Sequence, residues 1–243
     1  TKGGIVIAPQ GSPSMTTLPK TMRAAVFAAP ETIEIQQVPL PTPAADEVLV
    51  RLEGCGVCAS NIPVFEGRPW FNYPIEPGQP GHEGWGRVVA VGENVQAVQV
   101  GERVAMLSYH AYAEYDVAPE NAVVKLASSL DGKPFPGEPL GCAVNIFKRA
   151  DIQPNQTVAI VGIGFLGAQL IQLAKPHARV IAIAHRPYAQ QVARDCGADH
   201  VIAMDDHWRI IEEVKQLTGG VFCDRVIEAT GKQWPLDLSA ELT

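Results

Sequence analysis

Between Arg23 and about Val124 the apolar residues fall in short runs. MRAAVF, TIEIQQV, EVLVRLEG, WGRVVAVG and AYAEYDV are rich in Val, Ile and aromatic residues, and Gly, Pro or Asn separates them. Runs of this length and composition predict β-strands. Their spacing predicts a twisted, partly closed β-barrel. The proline-rich PLPTPAADE fits only a turn or an edge segment, because proline has no N–H to give to a ladder.

After Gln153 the pattern changes to alternating strands and helices. Strands are predicted at Thr157–Val161, Arg179–Ile183, His200–Ala203 and Arg225–Ala229. Helices are predicted at Phe165–Lys175, near Ala189–Cys196 and near His207–Leu217, where Ile210, Ile211, Val214 and Leu217 share one face. Such alternation implies a parallel sheet with right-handed crossovers. A doubly wound sheet of this kind ordinarily has about six strands, and the fourth is the last one legible here. The expected division is a leader at 1–20, a β-rich domain at 21–150 and a nucleotide-binding α/β domain at 151–243.

Composition narrows the class. At 47% hydrophobic and 19% charged residues, the chain reads as globular. A net charge of -7 argues against nucleic acid or an anionic membrane as the main partner. The odd number of cysteines, 5, argues against a disulfide framework and fits reduced thiols in a cytoplasmic enzyme. The apolar run Ile5–Ala8 is too short for a signal-peptide core. Val158–Ala174 is interrupted by glycines and is better explained by strand, turn and helix than by a membrane span.

The candidate chemistry lies at two places. Cys58, His82 and Cys142 form a thiolate–imidazole–thiolate set that suits Zn²⁺, and three protein ligands with an open fourth position mark a catalytic site. Cys55 and Cys58 form a CxxC, but no second CxxC completes a zinc knuckle, so Cys55 is expected to be a packing residue. Downstream, Gly162-Ile163-Gly164-Phe165-Leu166-Gly167 follows a predicted strand and opens a predicted helix, the context that a dinucleotide fingerprint requires. An NAD site calls for Asp or Glu about 20 residues further on, to accept the ribose hydroxyls. Here Ala184, His185 and Arg186 occupy that place, so NADP(H) is expected in preference to NAD(H).

The block GHEGWGRVVAVGENVQAVQVGERV, preceded by GCGVCAS and followed by EPLGCAVN and VGIGFLG, resembles the zinc-dependent medium-chain alcohol dehydrogenases. The resemblance runs from about Met22 to the end of the chain. It implies a GroES-like β-barrel followed by a partial Rossmann domain, C-terminally truncated. It also implies one zinc, held by Cys58, His82 and Cys142 with Glu83 beside them. Relatives that act on polyols carry an EPL motif whose glutamate faces the metal, so Glu138 rivals Cys142 for the third position. Ser60 would contact the substrate oxygen and take its proton. Asn61 stands where an aspartate is usual, its amide being able to accept from His82, and Pro63 stands where many members have the relay's last histidine. Ala229 and Thr230 match the turn beside the nicotinamide half.

The function so implied is hydride transfer between NADP(H) and an alcohol, a polyol or the matching carbonyl compound. Alternatives are a zinc-free quinone or enone reductase and a non-catalytic nucleotide-binding fragment. Trp70, Phe71 and Tyr73 are candidates for a substrate pocket or for barrel packing. Relatives pair through the last strand, so a homo-oligomer is expected of the full-length form.

Overall fold

A computed structural model describes residues 18–243. Most of the leader expected at 1–20, with Met15, lies outside the described residues. The described residues form two compact units, divided between Glu138 and Pro139. No helix among the described residues is long and apolar enough to cross a membrane.

The first unit is built from β-structure. β1 (Thr21–Ala29) and β2 (Thr32–Pro39) form an antiparallel ribbon, and β1 touches the following structure through the bridge Ala24–Ala113. β3 (Glu47–Cys55), β4 (Gly84–Val91), β5 (Arg103–Met106), β6 (Tyr115–Pro119) and β7 (Val123–Lys125) form an antiparallel sheet in the order β6-β3-β4-β5-β7. The strand expected over 111–117 begins later, at Tyr115. Its first residues instead make irregular bonds, such as Ala25 N–H to the Tyr112 carbonyl (2.8 Å) and Leu52 N–H to that of Glu114 (2.9 Å). Alternate residues of these strands bury Val48, Val50, Val88, Val104, Met106 and Ala118 in one core.

One buried cation ties this unit together. The Arg103 side chain, only 3% exposed, meets Glu53 at 2.6 Å and donates to the carbonyls of Leu130 and Lys133, each at 2.6 Å. It thereby anchors the segment that follows β7 to the sheet.

The second unit is α/β. Its elements are α2 (Gly137–Ala150, beginning at the boundary), β8 (Thr157–Val161), α3 (Phe165–Ala174), β9 (Arg179–Ala184), α4 (Pro187–Asp195), β10 (His200–Ala203), α5 (His207–Leu217), β11 (Arg225–Glu228) and α6 (Gln233–Ala240). A single helical turn, α1 (Ile62–Phe65), lies earlier, in the first unit. The four strands are parallel, in the order β10-β9-β8-β11. Strand order therefore reverses between β8 and β11, the switch point at which doubly wound sheets bind ligands.

The period-2 alternation of the strands separates two cores. Val158, Ile160, Val180 and Ala182 pack with Leu170 and Ile171 of α3. Ala159, Val161, Ile181 and Ile183 pack with Ile210 and Val214 of α5 and with Leu238 of α6. A sheet covered on both faces explains why these strands read as continuous apolar runs. Asp206 caps α5 by accepting from Arg209 N–H at 2.8 Å.

Helices α2 and α6 were not predicted. Gly137, Pro139 and Gly141 resemble turn residues, yet a proline in the first turn leaves no helical hydrogen bond unmade.

Candidate active site

The antiparallel pairing of β3 with β4 builds the corner that brings candidate metal ligands together. Its register ends with Cys55 opposite Gly84, so the residues just after β3 and just before β4 leave the same end of the ladder. Gly56 N–H extends the pairing to the Glu83 carbonyl at 3.1 Å. Register shifts near Leu49 and near Leu52–Gly54 increase the twist at this end, as bulges do. Two segments far apart in sequence thus meet, and the donor atoms of Cys58, His82 and Glu83 all lie within 4.8 Å of one another. Among the described residues this is the one such group of three or more. Cys142 lies on α2 in the second unit, outside this group, and its residue is exposed.

The donor set suits a zinc ion. His82 Nδ1 lies 2.8 Å from the Pro80 carbonyl. A carbonyl can only accept, so Nδ1 carries the proton and Nε2 keeps the lone pair that binds a metal. The expected bond from His82 to Asn61 is not made. Asn61, 5% exposed, instead donates to the same Pro80 carbonyl at 3.2 Å and accepts from the Tyr112 hydroxyl at 2.8 Å. His82 pairs with the backbone carbonyl, and the amide acts one step removed, by bonding to that same carbonyl.

Burial pushes the Glu83 carboxyl above the usual carboxylate range, and the charge of Glu138 raises it further. His82 and a hydrogen bond with Cys58 act in the opposite direction. Gly56 leaves room for this carboxylate, since a Cβ there would overlap Glu83 Oε2. Burial likewise pushes the Tyr112 phenol up to about 12, helped by the charges of Cys55 and Glu83, and the Cys55 thiol up to about 11, against a backbone hydrogen bond from Glu83 that lowers it. Both groups stay neutral near pH 7, and Cys55 donates to the Gly56 carbonyl at 3.2 Å. Ser60 is exposed in the short turn Ala59–Asn61 that follows Cys58.

An apolar hollow of about 480 Å³ lies in the same unit, lined by Phe27, Ile33, Val57, Ile62, Phe65 and Tyr112 among others. Trp70, Phe71 and Tyr73 do not line it. Trp70 is exposed beside Phe71, and the Tyr73 hydroxyl bonds to the Val64 carbonyl.

The second unit carries the glycine-rich corner at the end of β8. Gly162 has φ +96°, a conformation open to glycine, and a Cβ there would strike Thr230. A Cβ on Gly167 would overlap the Gly162 carbonyl, so this glycine lets α3 pack close against the loop. Gly164 caps α3, Phe165 and Leu166 form its first turn, and Ile163 is buried beneath. The N–H groups of that turn have no helical acceptor and can meet an anion. At the end of β9, Ala184 is buried and its carbonyl accepts from the Gln190 amide at 3.0 Å. His185 Nδ1 is 3.0 Å from the Met204 carbonyl, and Arg186 is exposed as the N-cap of α4. No carboxylate stands at 184–186. Ala229 and Thr230 follow β11 and abut Gly162.

The family described as "Alcohol dehydrogenase GroES-like domain" matches residues 44–128, and that described as "Zinc-binding dehydrogenase" matches 162–243. The erythritol/L-threitol dehydrogenase of Mycolicibacterium smegmatis is 31% identical over 260 residues, covering 88% of this chain and 71% of that protein. Two solved structures share the fold at 24% identity. An alcohol dehydrogenase of Escherichia coli CFT073 complexed with NADH superposes with a TM-score of 0.77 over 88% of this chain and 71% of that one. A candidate zinc-binding dehydrogenase of Sinorhizobium meliloti bound to NADP gives 0.78 over 93% and 74%.

Proposed function

Because the chain belongs to the zinc-dependent medium-chain alcohol dehydrogenase family, we propose that it transfers a hydride between NADP(H) and an alcohol or polyol, or the matching aldehyde or ketone. The observation that carries this reading is the convergence of Cys58, His82 and Glu83 with His82 Nε2 left as a lone pair. Cys58 and His82 would hold the zinc, with Cys142 or Glu138 as the third protein ligand and Glu83 beside them. When bound, zinc supplies Lewis-acid polarisation of the substrate oxygen, and the nicotinamide supplies or accepts the hydride.

The chain's own residues do the remaining work. Pro80 and Asn61 hold the His82 tautomer. Ser60, open to solvent beside Cys58, holds the proton of the substrate hydroxyl and passes it to water. Asn61 and Pro63 offer no titratable group to extend that path.

Folded protein purified without added metal is expected to contain about one zinc per chain by elemental mass spectrometry and to catalyse NADPH-linked carbonyl reduction. Folded protein without zinc that still turns over enones or quinones would replace this reading with a zinc-free reductase.

The preference for NADP(H) is argued from 184–186. The absence of a carboxylate that would repel a 2′-phosphate, and the exposed guanidinium of Arg186, support this preference. Charge-assisted hydrogen bonds contribute about 1.5–3 kcal/mol. Arg186→Ala is therefore expected to lower kcat/KM for NADPH by about tenfold to a hundredfold, leaving NADH within about twofold. Equal losses with both nucleotides would remove Arg186 from this role.

A further inference from the structure

We propose that Glu228 is a positioning residue for the nicotinamide-side half of the cofactor, acting through the turn that follows β11. The inference rests on the nucleotide site proposed above and adds a residue to it. Glu228 ends β11, and its carboxylate accepts two backbone hydrogen bonds from the next residues, Thr230 N–H at 2.6 Å and Gly231 N–H at 3.0 Å. Thr230 Oγ1 then accepts from Lys232 N–H at 3.1 Å, and Gly231 takes a left-handed conformation with φ +68°. Ala229 N–H closes the ladder onto the Val161 carbonyl at 2.8 Å, directly before Gly162. The carboxylate therefore clamps a turn whose next neighbour is the glycine-rich loop, with Thr230 filling the space that a side chain at position 162 would need.

Two physical consequences follow. A trans peptide is planar, with its N–H and C=O pointing in opposite directions. With the N–H groups of Thr230 and Gly231 turned to Glu228, the carbonyls of Ala229 and Thr230 face the other way. No backbone N–H of the described turns and loops donates to either carbonyl. They are acceptors held ready for a donor outside the chain, at the edge of the switch point. The second consequence concerns which half of the ligand depends on them. β11 begins the second mononucleotide-binding half of a doubly wound sheet, whereas β8, β9 and β10 serve the adenosine half. Losing the clamp should weaken what binds beyond the pyrophosphate and spare what binds before it.

Isothermal calorimetry on the whole chain tests this with NADPH and, separately, with 2′,5′-ADP, which carries the adenosine half alone. Hydrogen bonds to a charged group contribute about 1.5–3 kcal/mol, so Glu228→Ala is expected to weaken NADPH by about tenfold to a hundredfold. The same variant should change 2′,5′-ADP by less than about twofold, because that fragment does not reach the turn. Glu228→Gln keeps one acceptor oxygen and has nearly the same volume, so it should fall between wild type and alanine and guards against a folding defect. Equal weakening of both ligands, or unchanged NADPH affinity in both variants, overturns the inference. A folded wild-type protein that binds neither ligand overturns the nucleotide site itself, and this inference with it.

Discussion

Cys58→Ala is expected to empty the metal site and to remove turnover while leaving nucleotide binding intact. Cys58 contributes the sulfur donor of the group it forms with His82 and Glu83. A metal held by three protein ligands loses its geometry when the thiolate is removed, so zinc should fall from about one per chain to well under a tenth. Lewis-acid stabilisation amounts to several kcal/mol. At about 1.4 kcal/mol per factor of ten, the rate should fall by about a thousandfold or more. NADPH affinity should stay within about twofold, because the glycine-rich loop, α3 and the 184–186 segment all belong to the second unit.

Elemental mass spectrometry, steady-state assay and calorimetry on the same preparation read the three quantities together. Unchanged zinc content with full turnover would sink the metal mechanism. The same measurement on Cys142→Ser and Glu138→Gln identifies the third ligand by which variant releases zinc. Glu138 has an observation in its favour, since its charge acts on Glu83 within the first unit. Cys142 has the stronger chemical claim, because thiolate suits zinc better than carboxylate does.

Arg103→Met should be the most damaging single change away from the two sites. The methionine keeps most of the aliphatic length but removes every donor from a side chain that is 3% exposed. The carbonyls of Leu130 and Lys133 lose their partner, and Glu53 keeps only the longer contact to Arg87 at 3.4 Å. Breaking a buried ion pair by removing one member costs about 3–5 kcal/mol. Glu53 is 33% exposed and can rehydrate, which favours the lower end of that range.

A loss of about 3 kcal/mol should appear as a lower urea midpoint for the first unit, followed by hydrogen exchange of the β3, β4 and β5 amides. Glu53→Gln should cost less than Arg103→Met, since the amide oxygen can still accept from the guanidinium and both carbonyls keep their donor. An effect of Arg103→Met below about 1 kcal/mol would mean that water replaces the guanidinium at both carbonyls.

Much of this molecule was legible without coordinates, wherever the deciding interaction is local. Each strand of the parallel sheet, and α3, α4 and α5, lies within a residue or two of its predicted bounds, because apolar periodicity reports burial directly. The glycine-rich turn was legible for the same reason, as φ at Gly162 and the close packing at Gly167 exclude other residues there. The chemical types of the candidate metal ligands were legible too, since thiol, imidazole and carboxylate announce themselves by chemistry.

What the tertiary structure decided is which of those groups meet, and what each one faces. The β3–β4 register joins Cys58 to His82 and Glu83, and no pattern within either segment encodes that register. His82 and Asn61 both bond to the Pro80 carbonyl, an arrangement that only the folded loop sets. Arg103 reads as an ordinary strand-end charge until residues 130–133 close over it. Glu228 reads as an unremarkable acid after two apolar positions until the turn folds back onto its carboxylate. Side-chain periodicity is a property of a few neighbouring residues, whereas partners separated by tens of residues are set by the packing of the whole unit.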